Sequence, residues 1–423
     1  MTQLLSYSDE VLRGMLQGDP TDTIYLDYSK AFDKVDHELL TKKLSKYGFP
    51  INLVEWVSSF LSNRVQAVIV KGSHSRESPV ISGVPQGTVL GPILFLIYVN
   101  DLENKICMSS VCFFADDTRI SKQIKSLGSK QQLERDLSTV IEWSKENNME
   151  LNNQKFELIT YSCQAPSFLA ELPFQRELFS YYVSEDYLLD PSSKVRDLGV
   201  LITSDMSWSQ HMAAIVTRAN GVASWALSVF GSREKDVMLT IYKSLVRGHL
   251  EYCCPLWHPS KISDIELVES VQREFTRKIR GMRSLSYWER LKTLNLFSLQ
   301  RRRERYIVLC MWKILHGLAP NPNIRFRPRS RLGIQAIVPS LNASGGAACQ
   351  SKFDMSFAVI GPNLWNALPS TLTTIESATI FKSRLTSLLC KLDDMPPTSG
   401  YVRTPDNSLP EVLRRADERW SLL

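Results

Sequence analysis

Val111-Cys-Phe-Phe-Ala-Asp-Asp-Thr-Arg-Ile-Ser121 sets two strand-like runs on either side of a pair of aspartates. Residues 111–115 and 119–121 read as the arms of a hairpin, with Asp116 and Asp117 as its two-residue turn. Upstream, Thr23-Ile-Tyr-Leu-Asp-Tyr28 reads as a short buried strand ending on a carboxylate, Asp27. Between the two, the pattern is mostly helical. Leu39, Leu40 and Leu44 share one face of a helix whose other face carries Lys42, Lys43 and Lys46, and Gly48-Phe-Pro50 stops it. Residues 53–61 form a second helix, with Trp56 and Phe60 at i, i+4. Residues 65–70 alternate as a strand, with Val80 and Ile81 on its hairpin partner. Residues 83–87 are a loop, and 89–102 a mostly apolar helix. Past the aspartate hairpin, 131–147 is helical, with Leu133, Leu137, Ile141 and Trp143 in its buried stripe, and 149–161 runs from loop into strand. This βαββα order predicts an antiparallel sheet covered by helices on one face, an α+β domain.

Farther out, 197–202 suggests one more strand, and helices are expected at 208–230, 237–250, 267–279, 288–294, 299–316 and 380–389. Residues 320–328 and 340–348 look like linkers, and the last thirty or so residues look mobile. The composition, 43% hydrophobic and 22% charged, is that of a globular protein. The net charge of +6 is modest, but residues 273–331 concentrate sixteen Lys and Arg against Glu274, Glu289 and Glu304. Such a stretch either favours a polyanion, through counterion release, or is a solvated helix face. Eight scattered cysteines and a mixed-polarity start, residues 1–17, point to a reducing compartment, nucleus or cytoplasm rather than secretion. His249, Cys253, Cys254 and His258 lack the paired spacing of a zinc site. The longest apolar run, 89–99, is too short to span a bilayer, so no membrane partner is expected.

Carboxylates brought together from separate strands are what a two-metal phosphoryl-transfer site needs. Mg²⁺ prefers hard oxygen ligands and takes only one or two protein carboxylates, keeping water and phosphate oxygens. Taken singly, an Asp-Asp turn is ordinarily turn chemistry, and Asp27, Asp33 and Asp36 could be helix caps. The order of four segments gives them a different weight. Leu26-Asp-Tyr-Ser-Lys-Ala-Phe-Asp-Lys-Val-Asp-His37, Gly83-Val-Pro-Gln-Gly-Thr-Val-Leu-Gly-Pro92, Phe114-Ala-Asp-Asp117 and Met149-Glu-Leu-Asn-Asn-Gln-Lys155 resemble motifs A, B, C and D of non-LTR retrotransposon reverse transcriptases. Leu198-Gly-Val200 and Ser207-Trp-Ser-Gln-His211 look like the lead into that family's thumb. Leu364-Trp-Asn-Ala-Leu-Pro369 resembles a tail of Jockey-like elements. Only residues 24–160 carry specific motifs.

The resemblance implies a right-hand polymerase palm at residues 1–205, a helical thumb and basic region at 206–320, and a C-terminal extension at 321–423. It implies RNA-directed DNA synthesis with two Mg²⁺ ions, an RNA template, a DNA primer and deoxynucleoside triphosphates. By position, Asp27 and Asp116 would be the principal metal ligands, Asp117 would support them, and the backbone carbonyl of Tyr28 would complete one site. Phe32 would be the gate against a ribose 2′-hydroxyl, although its spacing also suits core packing. Gln86 and Gly87 would meet the nascent base pair, and Lys155 would neutralise or protonate the departing pyrophosphate. The basic stretch would grip the duplex, while Phe275, Tyr287, Trp288, Tyr306 and Trp312 within it read mainly as core. Only 26 residues precede Asp27, where the family places its fingers, so an N-terminally truncated copy is expected. Thr88 stands where Ser is common, and Phe156 where a small polar residue is. The competing expectation is a catalytically silent remnant that binds nucleic acid through the thumb and basic stretch. The polymerase reading requires the Asp27 carboxylate within roughly a nanometre of the hairpin pair.

Overall fold

The structure, a computed structural model, describes residues 1–163, 180–184, 187–259, 261–329, 333–341, 344–398 and 405–421. Its contacts form two units, Asp19–Val195 and a second made of Met1–Gly18 with Arg196–Leu423. The chain opens on α1 (Thr2–Gln17), whose Leu4, Leu5, Val11, Leu12, Met15 and Leu16 recur at helical spacing and are all buried. Gly18, at φ 83, ends the helix in the left-handed conformation that glycine adopts freely.

The unit spanning Asp19–Val195 is built on a four-stranded antiparallel sheet. After β1 (Thr21–Leu26) come three helices: α2 (Ala31–Lys34), α3 (His37–Lys46) and α4 (Ile51–Leu61). Asp36 caps α3 by accepting the Leu39 N–H. Four short strands follow, β2 (Arg64–Gln66), β3 (Ile69–Val70), β4 (Ser73–His74) and β5 (Ser78–Val80); β2 pairs with β5, and β3 with β4. The expected single strand over 65–70 is thus broken in two. Then come α5 (Leu90–Val99), β6 (Ser110–Phe114), β7 (Asp117–Gln123), α6 (Leu127–Glu146) and β8 (Glu157–Tyr161). The sheet order is β6-β7-β1-β8, every pair antiparallel. Ile24 sits opposite Ile120 on one side and Leu158 on the other, so alternate residues of three strands share a face. That face and the helices enclose one core containing Leu26, Leu40, Leu44, Phe95, Tyr98, Leu137 and Trp143. This is the α+β arrangement the strand order predicts. A small hairpin, β9 (Tyr181–Ser184) with β10 (Tyr187–Leu189), joins the same core through Tyr181, Val183 and Leu189.

Two turns differ from the sequence reading. Phe114 pairs with Asp117, so the hairpin turn is Ala115-Asp116 and Asp117 already belongs to a strand. Ala115 takes φ 55, the left-handed region. The strand expected over 197–202 is a hairpin, β11 (Lys194–Asp197) and β12 (Val200–Thr203), turning on Leu198 and Gly199, both at positive φ.

The other unit is mostly helical: α7 (Ser209–Val229), α8 (Lys235–Ile241), α9 (Arg247–Glu251), α10 (Ile262–Arg277), α11 (Tyr287–Leu294) and α12 (Leu299–Leu315). A π-helical turn, Tyr242–Val246, joins α8 to α9 inside the stretch read as one helix. Where a linker is expected at 320–328, β13 (Arg325–Arg329) pairs with β14 (Gly333–Ile337). α13 (Ala347–Asp354), α14 (Phe357–Asn366), α15 (Ser370–Thr373) and α16 (Ala378–Lys391) follow. Instead of a mobile tail, α17 (Leu409–Ser421) buries Leu409, Val412 and Leu413.

The basic stretch does not present itself as one charged face. Arg290, Arg301 and Arg303 are buried, and Arg301 pairs with buried Glu304 at 3.1 Å while donating to the Asn407 carbonyl at 2.9 Å. Arg302 donates to Glu251 at 2.9 Å. Among the described residues, exposed cations remain at Arg277, Lys278, Arg280, Arg283, Lys292, Lys313, Arg325 and Arg327. Phe275, Tyr287 and Trp312 are core residues, as their spacing suggests. All eight cysteines are free thiols. Among the described residues, no helix is long and apolar enough to cross a membrane.

Candidate active site

β1 ends at Leu26, paired with Thr118 of β7. One step further along the same antiparallel register, Asp27 leaves the sheet level with Asp117. Opposed residues on neighbouring antiparallel strands lie about 4.5–5.5 Å apart at Cα. Asp116, in the turn, is the next residue beyond. The three aspartates therefore lie at one end of two adjacent central strands, brought there by pairing across some ninety residues of sequence.

The fourth member arrives by main-chain bonds. The Asn152 N–H donates to the Asp27 carbonyl at 2.9 Å, and the Ser29 N–H to the Glu150 carbonyl at 2.8 Å. Tyr28 bridges Leu151 between them. This zipper delivers the short 3₁₀ turn Asn153–Lys155, and Lys155 Nζ donates to Asp27 Oδ2 at 3.0 Å. Both side chains keep solvent access, at 65% and 31% exposure, so the contact is a surface ion pair that can open.

An ammonium on the Asp27 carboxylate is a cation where a metal ion would sit. The donors at this end of the sheet are hard oxygens, which suits Mg²⁺ better than zinc. Among the described residues, no three His, Cys, Asp or Glu side chains form a closed metal-holding group, either here or at His249, Cys253, Cys254 and His258. A magnesium site does not need one, since one or two carboxylates suffice when water and phosphate supply the rest. The donor set therefore fits the ion.

Phe32 and the 83–87 loop form a second group, joined to the first by residues 28–31. Tyr28 is buried and meets Trp143 edge-on at 6.4 Å; burial raises its phenol pKa. Phe32 stacks on Phe95 at 4.6 Å and is half-buried, so core packing accounts for part of its position. Val84 N–H donates to the Phe32 carbonyl at 2.9 Å, and Gln86 Nε2 to Asp33 Oδ1 at 3.1 Å. Gly87 has φ 81 and open space where a side chain would stand, so its backbone conformation, rather than crowding, demands glycine. Gly91 is different: an added Cβ would lie 2.5 Å from the Pro85 carbonyl oxygen.

The sequence reading singles out neither Arg64 nor His37, yet both touch this loop at the Gly83 carbonyl. His37 falls inside a quoted motif without a role, and nothing near Arg64 in sequence marks its partner. Asp22, also passed over, accepts from Thr160 and Tyr181, each at 2.6 Å, and burial pushes its pKa up.

Residues 15–202 match the family model described as reverse transcriptase (RNA-dependent DNA polymerase). Over 321 residues the chain is 25% identical to the probable RNA-directed DNA polymerase from transposon X-element of Drosophila melanogaster, covering 72% of this chain and 34% of that one. Over 274 residues it is 27% identical to the RNA-directed DNA polymerase from mobile element jockey of the same fly, covering 61% and 28%. The chain thus spans about a third of the length of these curated relatives. The solved structure of apo telomerase from Candida tropicalis aligns at a TM-score of 0.39 and 11% identity, covering 69% of this chain and 48% of that one.

Proposed function

We propose that this chain, whose residues 15–202 belong to the reverse transcriptases of non-LTR retrotransposons, extends a DNA primer on an RNA template from deoxynucleoside triphosphates. The observation that carries this reading is the register: Asp27 and Asp117 leave neighbouring strands at the same level, with Lys155 on Asp27. Elongation joins the primer 3′-oxygen to the α-phosphorus and releases pyrophosphate. Asp27 and Asp116, supported by Asp117 and the Tyr28 carbonyl, would hold the two Mg²⁺ ions. Bound there, the ions would supply Lewis acidity that lowers the pKa of the attacking hydroxyl and would offset charge on the leaving oxygens.

The remaining roles belong to the chain itself. Lys155, freed from Asp27, neutralises the departing pyrophosphate or gives it a proton. Phe32, fixed on Phe95, crowds a ribose 2′-hydroxyl. Gln86 and the exposed backbone at Gly87 meet the nascent base pair. Exposed cations of the basic stretch, among them Lys278, Arg283, Lys292, Lys313, Arg325 and Arg327, would meet a phosphate backbone.

Primer extension on an RNA template with Mg²⁺ tests the assignment. The wild-type chain is expected to give metal-dependent synthesis that Asp116→Ala abolishes. Equal synthesis by both proteins would remove Asp116 from the site, and nucleic-acid binding without any synthesis would favour the silent-remnant reading.

A further inference from the structure

We infer that Arg64 and His37 are positioning residues: together they clamp the Gly83 carbonyl, locking the 83–87 loop onto α2 and thereby setting where Phe32 stands. The inference rests on the polymerase reading for its functional half, since Phe32 matters only where a sugar is being selected.

α2 has four residues, too few to hold itself as a helix. Its backbone is held from outside. Gly83 N–H donates to the Val35 carbonyl at 2.8 Å, Val84 N–H to the Phe32 carbonyl at 2.9 Å, and Ser82 Oγ to the Asp33 carbonyl at 2.8 Å. Three consecutive residues of the loop thus take up carbonyls that α2 leaves unsatisfied. The approach is close enough that a Cβ on Gly83 would lie 2.8 Å from the Asp33 Cα, and Gly83 is at φ 85 besides. The Phe95 stack holds the Phe32 ring, but the Phe32 backbone is fixed only as well as the loop is.

The loop is fixed at Gly83. Arg64 Nη2 donates to its carbonyl at 2.6 Å, and His37 Nε2 lies 2.9 Å from the same oxygen. One carbonyl oxygen has two lone pairs, and the two donors use one each. The 3.3 Å between Arg64 Nη2 and His37 Nε2 then separates two donors side by side. Arg64 is itself held, because its Nε donates to the Leu61 carbonyl at 2.9 Å and its backbone pairs with Val80. His37 begins α3 directly behind α2. The clamp thus connects the end of α4, the start of α3 and the glycine loop on a single oxygen. A charged donor makes one of its two bonds stronger than a neutral pair would.

Hydrogen exchange of the full chain, read at the Gly83 and Val84 amides, tests the clamp without any need for turnover. Arg64→Ala with His37→Ala is expected to speed exchange there by about ten-fold, with the α6 amides unchanged. His37→Gln, which keeps a donor, restores most of the protection. The functional half is read as the ratio of deoxy- to ribonucleotide use in primer extension, and as the ratio of dCTP to CTP affinity with Mg²⁺. Both ratios are expected to fall in the double variant and to recover with His37→Gln. Unchanged exchange at Gly83 and Val84 overturns the clamp. Faster exchange with both ratios intact overturns its part in selectivity. A wild-type chain that neither extends a primer nor prefers a deoxynucleotide defeats the polymerase reading and the selectivity role together, while exchange still decides the clamp.

Discussion

An ammonium group holds the Asp27 carboxylate, and on the proposed polymerase reading it would have to let go before a metal ion took the same oxygen. The contact is exposed, so it opens at a cost of less than about 1 kcal/mol. Lys155→Ala removes that competitor. Mn²⁺ titration should show tighter binding in the variant, whereas primer extension should slow by on the order of 10²-fold, as charge on the leaving group goes uncompensated. Unchanged Mn²⁺ affinity would mean that Lys155 does not compete for Asp27. Lys43 teaches the opposite lesson. Its place between Lys42 and Lys46 reads as a solvated face, yet its Nζ donates to the Tyr98 carbonyl at 2.6 Å and Asp101 at 2.8 Å. It also lies 5.0 Å from the Trp143 ring centre, and burial lowers its pKa. Its partners are more than fifty residues away, which no local pattern reveals. Lys43→Ala should cost on the order of 3 kcal/mol in urea unfolding, because Asp101 and the Tyr98 carbonyl lose a buried partner.

At the scale of elements, what the sequence made plain was periodicity and turn chemistry. The aspartate hairpin, the strand before Asp27 and the helices around them were legible because alternation and capping are local. The faces of charged helices were not. Three successive arginines on α12 look like a polyanion grip, but the partners that draw them inward lie on α9 and in the segment before α17. Counting charges along a window gives no face. The same burial makes α12 sensitive to pH. Glu304 is wholly buried, and desolvation outweighs its Arg301 partner, raising its pKa from the usual 4.5 to about 7. The folded state therefore holds this proton more tightly than the unfolded chain does, so the group's contribution is full below about pH 4.5 and is lost as pH rises through 7. Buried His211 and His258, with pKa values lowered to about 4 and about 3, pull the other way on acidification. Comparison with Glu304→Gln cancels them: relative to that variant, wild type should lose thermal stability between pH 5 and pH 8. A difference independent of pH would show that Glu304 does not titrate in this range.

At the scale of the molecule, the first helix and Arg196–Leu423 make one unit. Gly345 N–H donates to the Leu16 carbonyl at 2.9 Å, and a Cβ on Gly345 would come within 2.1 Å of the Met15 oxygen. Arg13 lies 5.5 Å from the Phe353 ring centre on α13. Gly345→Val should therefore detach α1, lowering the melting temperature of the helical unit by several degrees while leaving that of Asp19–Val195 unchanged. An unaltered melt would mean the helix docks without this close approach. The sequence reading takes residues 1–17 only as a start of mixed polarity and places no helix there, and the partner of α1 leaves no periodic trace either.

That docking also has a tempo. α1 leaves the ribosome about 330 residues before α13, the helix it packs against. At translation rates of roughly 5–20 residues per second, its apolar stripe stays bare for roughly 15–60 s. The sheet unit between them can close in far less time. During synthesis the chain thus passes through a stage with a finished sheet unit and a bare stripe on α1, the stage at which a nascent-chain chaperone would find its target.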